Sequence, residues 1–156
     1  MRQYCLLVII LIGCLLAAPA RAACSGTTLE DARLMALDAA AVLEKEGPYG
    51  AFPRFADPSG AFIDRDLYVF VIDTLGRMWF NALFTVRPGQ SIIGSRDRQG
   101  RFFVREMIRI AERQGEGWVE YDWINPCNGR MEPKSTYVVQ VGPLIVGVGV
   151  YGVISL

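Results

Sequence analysis

An α+β fold built on a five-stranded antiparallel sheet is predicted by three features of this 156-residue chain. Five short runs rich in β-branched and aromatic residues occur between Leu67 and Tyr151. Tight glycine-bearing turns join most of them, which favours antiparallel neighbours over crossover connections. Two stretches carry helical spacing instead, a long one ahead of all the strands and a shorter one between the second and third strands.

The long helix begins at Thr28, whose side chain suits an N-cap with Asp31 three positions on, and Leu29, Ala32, Ala36, Ala39, Ala40 and Leu43 recur at helical spacing. Gly47-Pro48 is expected to end it. The following segment, Pro48 to Asp66, holds three prolines and four aromatics, Tyr49, Phe52, Phe55 and Phe62, and is expected to be irregular but packed, the kind of loop that covers a cavity.

Leu67 to Asp73 and Met78 to Ala82 read as a hairpin turned by Thr74-Leu75-Gly76-Arg77. A second turn, Asp97-Arg98-Gln99-Gly100, leads into a helix whose apolar face is Phe103, Val104, Met107, Ile108 and Ala111. Its other face carries Arg101, Arg105, Arg109 and Arg113 at four-residue intervals, diluted by Glu106, Glu112 and Glu116, and reads as a solvated surface. Trp118 to Trp123, Ser135 to Val141 and Leu144 to Tyr151 complete the strands, the last two joined by Gly142-Pro143. The glycines within Val146-Gly147-Val148-Gly149-Val150 mark bending or close backbone approach.

Ahead of the domain, Arg2 is followed by an uncharged apolar run from Cys5 to Ala18 and by Ala20-Arg21-Ala22. Residues 1–22 therefore read as a cleaved secretory signal, with an uncleaved anchor and lipidation at Cys14 as the other readings. The remaining 134 residues, 23–156, form one domain with 14 basic and 16 acidic groups, a balance that disfavours nucleic acid and acidic membrane surfaces as partners. No later apolar run is long enough to span a bilayer, since Val138 to Leu156 is broken by Gly142-Pro143. The domain is thus expected to be periplasmic or secreted. Cys24 and Cys127 are left as an even pair in an exported chain, which reads as one disulfide, with two separate thiols as the alternative.

The chain has no histidine, which removes hydrolytic triads and histidine-based zinc sites, and nothing in it implies a catalytic residue, a metal or a cofactor. The acid pairs Asp64/Asp66 and Glu120/Asp122 read as ordinary surface carboxylates. What remains is a gathering of rings around few polar groups: Tyr68, Phe70, Trp79, Asn81, Tyr121, Trp123, Lys134 and Tyr137. That composition suits a small-molecule pocket as well as a filled core. Arginine outnumbers lysine fourteen to two, so a lysine opening a predicted strand is unusual for this chain, and a partly buried ammonium there would pair with a ligand carboxylate.

Tyr68-Val69-Phe70-Val71-Ile72-Asp73, Gly76, Asn81, Gly89 and Asp97 to Gly100 with Phe102-Phe103, followed by Gly115 to Trp123, Pro126, Pro133 to Val138 and Val146 to Tyr151, resemble in this order the single Cache family of extracytoplasmic sensor domains. The resemblance spans about residues 28 to 152. It implies a PAS-like fold and a small metabolite, often a short organic acid, held between sheet and covering loop, with Tyr68, Phe70, Tyr121, Trp123, Lys134 and Tyr137 as candidate lining. Phe80-Asn81 stand where the family often shows His-Pro. Such domains usually feed a membrane receptor or kinase. Since five residues follow Tyr151, the expectation is a stand-alone sensor protein that binds without catalysis and presents its ligand to such a partner. The competing expectation is a docking module of the cell envelope whose pocket is filled by Trp79, Trp123 and Phe62.

Overall fold

The computed structural model describes residues 26–152; the expected signal segment and Cys24 lie outside the described residues. Helix α1 runs Leu29–Phe55, followed by strands β1 Ile63–Asp64, β2 Leu67–Asp73, β3 Arg77–Asn81 and β4 Gln90–Ser91. Helix α2 is Phe103–Gln114, and β5 Glu116–Ile124, β6 Met131–Val141 and β7 Leu144–Tyr151 end the described fold. All strand pairs are antiparallel, in the order β4-β3-β2-β7-β6-β5, with β1 paired to β2. The sheet thus has seven strands rather than the five expected from the sequence. The two extra strands are of two residues each, too short to carry an alternating pattern.

Thr28 caps α1 as its sequence suggests: its side chain accepts from the Asp31 amide, and Asp31 accepts from the Thr28 amide in return. The helix does not stop at Gly47-Pro48. Gly47 breaks the helical dihedrals with φ 65°, and the chain then re-enters a helix up to Phe55. A proline can start a helix as well as stop one, because its missing N–H falls among the unpaired donors of the first turn. The added turns bring Phe52 onto Phe80, with centroids 4.9 Å apart, and Phe55 against Phe62 at 4.8 Å.

Two cores flank the sheet. On one side Ala32, Ala36, Ala39, Ala40 and Leu43 of α1 lie against Val69 and Val71 of β2, Tyr137 and Val139 of β6, and Val146, Val148 and Val150 of β7. The small alanine faces let the helix sit close to the valine surface. On the other side Phe103, Val104, Met107, Ile108 and Ala111 of α2 cover Phe70, Ile72, Val119, Tyr121, Val138 and Ile145. The guanidinium stripe of α2 faces solvent, where Arg109 pairs with Glu106 and Arg105 lies over the Phe102 ring.

The turns Asp73-Thr74-Leu75-Gly76-Arg77 and Asp97-Arg98-Gln99-Gly100-Arg101 share a pattern and share a structure. In each, one aspartate oxygen accepts the backbone N–H groups two and four residues on, and the other accepts the arginine Nε at 2.6 Å. Burial raises the pKa of each carboxyl, but hydrogen bonds outweigh it and leave both lowered, from the Trp79 indole, Arg77 and Leu75 at Asp73 and from Arg101 and Gln99 at Asp97. The second turn launches α2 across the sheet, and so the segment from Ala82 to Phe102 must bridge from β3 to α2 over the same face.

Candidate functional site

A cavity of about 220 Å³ lies under that bridging segment, between the sheet, α2 and residues 84–95. The sheet supplies Tyr68 and Phe70 from β2, Met78 and Asn81 from β3, Tyr121 and Trp123 from β5, and Lys134 from β6. The bridging segment adds Phe84, Thr85, Val86, Gln90, Ile92 and Ser95, and α2 adds Phe103, Val104 and Met107. The cover is therefore this segment and not Pro48 to Asp66, which packs on the α1 side through Phe52, Phe55 and Phe62. Proline and aromatic content fits an irregular packed segment but does not say which sheet face it serves.

Six of the eight residues singled out in the sequence line the cavity together: Tyr68, Phe70, Asn81, Tyr121, Trp123 and Lys134. Tyr137 and Trp79 do not. Tyr137 stands three residues from Lys134 on one strand, and alternation sends odd spacings to opposite faces. Its ring meets Trp118 at 4.9 Å on the α1 side. Trp79 is displaced by a register shift in the β2–β3 ladder, where Phe80 pairs with Val71 and Met78 with Ile72, leaving Trp79 without a cross-strand partner. Its indole N–H donates to Asp73 at 2.9 Å, and its ring borders a separate apolar groove with Tyr49, Phe52 and Leu144. Neither Phe62 nor Trp79 fills the cavity, and Trp123 stands at its rim, 36% exposed.

Lys134 is the least expected feature, being only 1% exposed. Its Nζ donates to the Tyr68 hydroxyl at 2.8 Å and stands 4.0 Å from the Tyr68 ring centroid, 4.8 Å from that of Tyr151 and 5.9 Å from that of Phe70. No carboxylate among the described residues lies within ion-pair distance of it. Desolvation pulls its pKa down from 10.5 to about 7, opposed by the charge of Asp66. Asp66 is itself buried and held by the Thr27 hydroxyl at 2.5 Å and the Tyr151 amide at 3.4 Å.

The tyrosines around Lys134 are wired to one another and to the backbone. The Tyr68 and Tyr151 hydroxyls are 3.2 Å apart, and Tyr151 donates to the Ile124 carbonyl at 2.9 Å. Tyr121 and Thr136 hydroxyls lie 3.0 Å apart, while the Tyr121 ring stacks on Phe103 at 4.3 Å. Burial pushes the Tyr68 hydroxyl up to about 12 and those of Tyr121 and Tyr151 upward too, so all three remain protonated donors at neutral pH. Asn81 accepts the Leu83 and Phe84 amides at 3.0 Å each and so fixes the start of the cover. Phe84 then meets Tyr68 edge-on at 5.8 Å.

Among the described residues no group of histidine, cysteine, aspartate or glutamate is arranged to hold a metal. Cover residues 84–95 carry no pattern in the sequence beyond a pair of short turns, and their part in the site was invisible there; only Asn81, an Asx-type residue at the end of a predicted strand, hints at where the cover starts.

The molecule is thus an antiparallel sheet backed by a long helix on one face, with a small lined cavity under a segment on the other. The chain belongs to the single Cache domain family: the single Cache domain 2 profile matches residues 7–153. Solved structures share the fold. A Cache chemosensory domain described for its recognition of carboxylic acids superposes with a TM-score of 0.68 at 21% identity, covering 80% of this chain and 92% of its own. A methyl-accepting chemotaxis protein from Vibrio parahaemolyticus gives 0.65 at 18% identity over 76% of this chain and 82% of its own. The periplasmic sensor domain of a chemotaxis protein gives 0.61 at 24% identity over 80% and 90%. No helix among the described residues is long and apolar enough to cross a membrane.

Proposed function

We propose that this domain binds a short carboxylate in the cavity under residues 84–95, without catalysis, with the carboxylate drawn to Lys134. The observation that carries this reading is a fully buried lysine, bordering an apolar cavity, with no carboxylate among the described residues in ion-pair range. A buried cation without an ion-pair partner costs several kcal/mol, and a ligand anion reaching it recovers part of that cost as affinity. The volume of about 220 Å³ lies below the ~300–1,000 Å³ range of drug-sized pockets and suits an acid of a few heavy atoms. Phe70, Phe103, Met78 and Val104 offer apolar surface for its tail, and Asn81, Thr85, Gln90 and Ser95 offer hydrogen bonds for selectivity. The open cavity favours this over a docking module with a filled pocket.

In this reading residues 1–22 direct export, residues 23–156 form the periplasmic sensor domain, and a membrane receptor or kinase reads its liganded state. Family membership and the chemotaxis sensors of the same fold support that setting.

Thermal-shift titration of residues 23–156 with acetate, propionate and longer monocarboxylates tests the binding, with amino acids and purines as contrast. A ligand at a hundred times its Kd adds about 2.7 kcal/mol of stability and moves Tm by several degrees. A shift for short acids that disappears in Lys134→Gln supports the reading. No shift with any acid, or an equal shift in the variant, overturns it.

A further inference from the structure

We infer that Lys134 is also a reversible covalent capture site for short 2-oxo acids, its amine condensing with the ligand carbonyl to a protonated imine. This rests on the carboxylate reading above, because the same cavity must first admit the acid.

Three features of the site converge on it. The Nζ is enclosed by the Tyr68, Tyr151 and Phe70 rings, and Lys134 is one of the residues that line the cavity. The charged and titratable groups around it are Asp66, Tyr68, Tyr121 and Tyr151, with Arg101, Glu120 and Asp122 around a second, smaller cleft that Lys134 also borders. None of the carboxylates pairs with it, so full burial leaves a large fraction of neutral amine at neutral pH, the form that acts as a nucleophile. Finally, a hydroxyl stands 2.8 Å from the nitrogen, on Tyr68, and is itself linked to Tyr151.

The step balances without any redox partner. The nitrogen lone pair forms a bond to the carbonyl carbon as the C=O π pair moves to oxygen, which takes a proton from the Tyr68 hydroxyl. Tyr68 regains a proton from the attacking nitrogen, giving a neutral carbinolamine. Protonation of its hydroxyl from solvent and loss of water then give the protonated imine, so one amine, one carbonyl and one proton become one iminium and one water. The positive charge arrives with that proton and sits on the iminium, covalently beside the ligand carboxylate, and the apolar walls limit water for the reverse step.

The chain supplies its own control, since its only other lysine, Lys45, is exposed on α1. Residues 23–156 are incubated at pH 7.5 with pyruvate and cyanoborohydride, which traps an imine as a stable secondary amine, and digested for mass spectrometry. The expected result is an adduct on Lys134 in at least tenfold excess over Lys45, suppressed by propionate, slowed in Tyr68→Phe and absent from residue 134 in Lys134→Arg. Suppression by propionate needs no variant and so does not depend on how well either one folds. Equal labelling of the two lysines overturns the inference. If propionate and pyruvate both raise Tm and Lys134 stays unlabelled, covalent capture falls and the binding reading stands. If neither acid raises Tm and Lys134 is not labelled, both fall.

Discussion

Gly149 provides the space through which the Lys134 side chain runs. A Cβ at that position would overlap Lys134 Cε and Thr136 Oγ1 and stand 3.1 Å from Lys134 Cγ. The two residues lie on neighbouring strands, β7 and β6, and the missing side chain on one lets the lysine of the other reach inward among the rings. Gly147 does the same for Phe70, whose ring tip occupies the place of its absent Cβ.

Gly149→Ala is therefore expected to displace Lys134 and weaken carboxylate binding by tenfold or more, with a stability loss of about 1–3 kcal/mol from overpacking. Calorimetric titration with propionate alongside urea denaturation measures both. Wild-type affinity in the variant would show that the lysine does not depend on this gap.

Stability should rise with pH across the neutral range. The folded pKa of Lys134 is lowered to about 7 from 10.5, so between those values the unfolded chain holds more protons than the folded one. The slope is then positive and approaches about 1.4 kcal/mol per pH unit, with the burial cost fully present below pH 7. The absence of histidine leaves few other groups to titrate there. Urea denaturation at pH 6.5, 7.5 and 8.5 should show this slope, and Lys134→Met should remove it; the same slope in both proteins would assign it elsewhere.

Propionate binding should run the other way with pH. Each acid bound to the ammonium form requires a protonated lysine, so affinity falls above pH 7 and approaches a tenfold loss per unit. Calorimetry at pH 8 in buffers of different ionisation enthalpy should detect proton uptake on binding. A heat independent of the buffer would mean that Lys134 does not change protonation.

Asn81→Ala removes the acceptor for the Leu83 and Phe84 amides and should loosen the cover without touching the core. The expected cost is about 1–2 kcal/mol of stability and a faster ligand off-rate, read by stopped-flow fluorescence of the rim tryptophan Trp123. An unchanged off-rate would mean the cover is held by its apolar contacts instead.

We propose that Cys24, which lies outside the described residues, and Cys127 form a disulfide, a reading with which two contacts agree. The Thr27 hydroxyl reaches Asp66 at 2.5 Å, and Cys127 Sγ stands 3.9 Å from the Arg65 carbonyl, so residue 27 and Cys127 meet on adjacent residues of one turn. A non-reducing digest should yield a linked peptide, and Cys127→Ser should cost about 2–4 kcal/mol. Two titratable thiols in the unreduced, denatured protein would sink the bridge.

Much of this architecture is written locally. The capping box at Thr28, the paired aspartate turns, the apolar face of α2 and the five long strands each follow from residues within a few positions of one another, and the structure places them where the pattern does. The separation of Lys134 from Tyr137 follows equally from strand alternation, which overrides their joint appearance in one short motif. The helix continues past Gly47-Pro48, where the sequence predicts its end, because the same dipeptide can end one helix and begin another.

Local patterning thus sets which segments are helix and strand, which face of each is apolar, and that one lysine among many arginines is out of the ordinary. It does not set depth. Pairing of β2 with β7 across some seventy residues of chain brings Tyr68, Tyr151 and Lys134 together, the register shift in the β2–β3 ladder turns Trp79 away, and the α2 turn carries residues 84–95 over the cavity. A solvent-exposed strand end and a caged, half-neutral amine read identically along the chain. What separates them is the desolvation produced by residues distant in sequence, and desolvation exists only once those residues have packed.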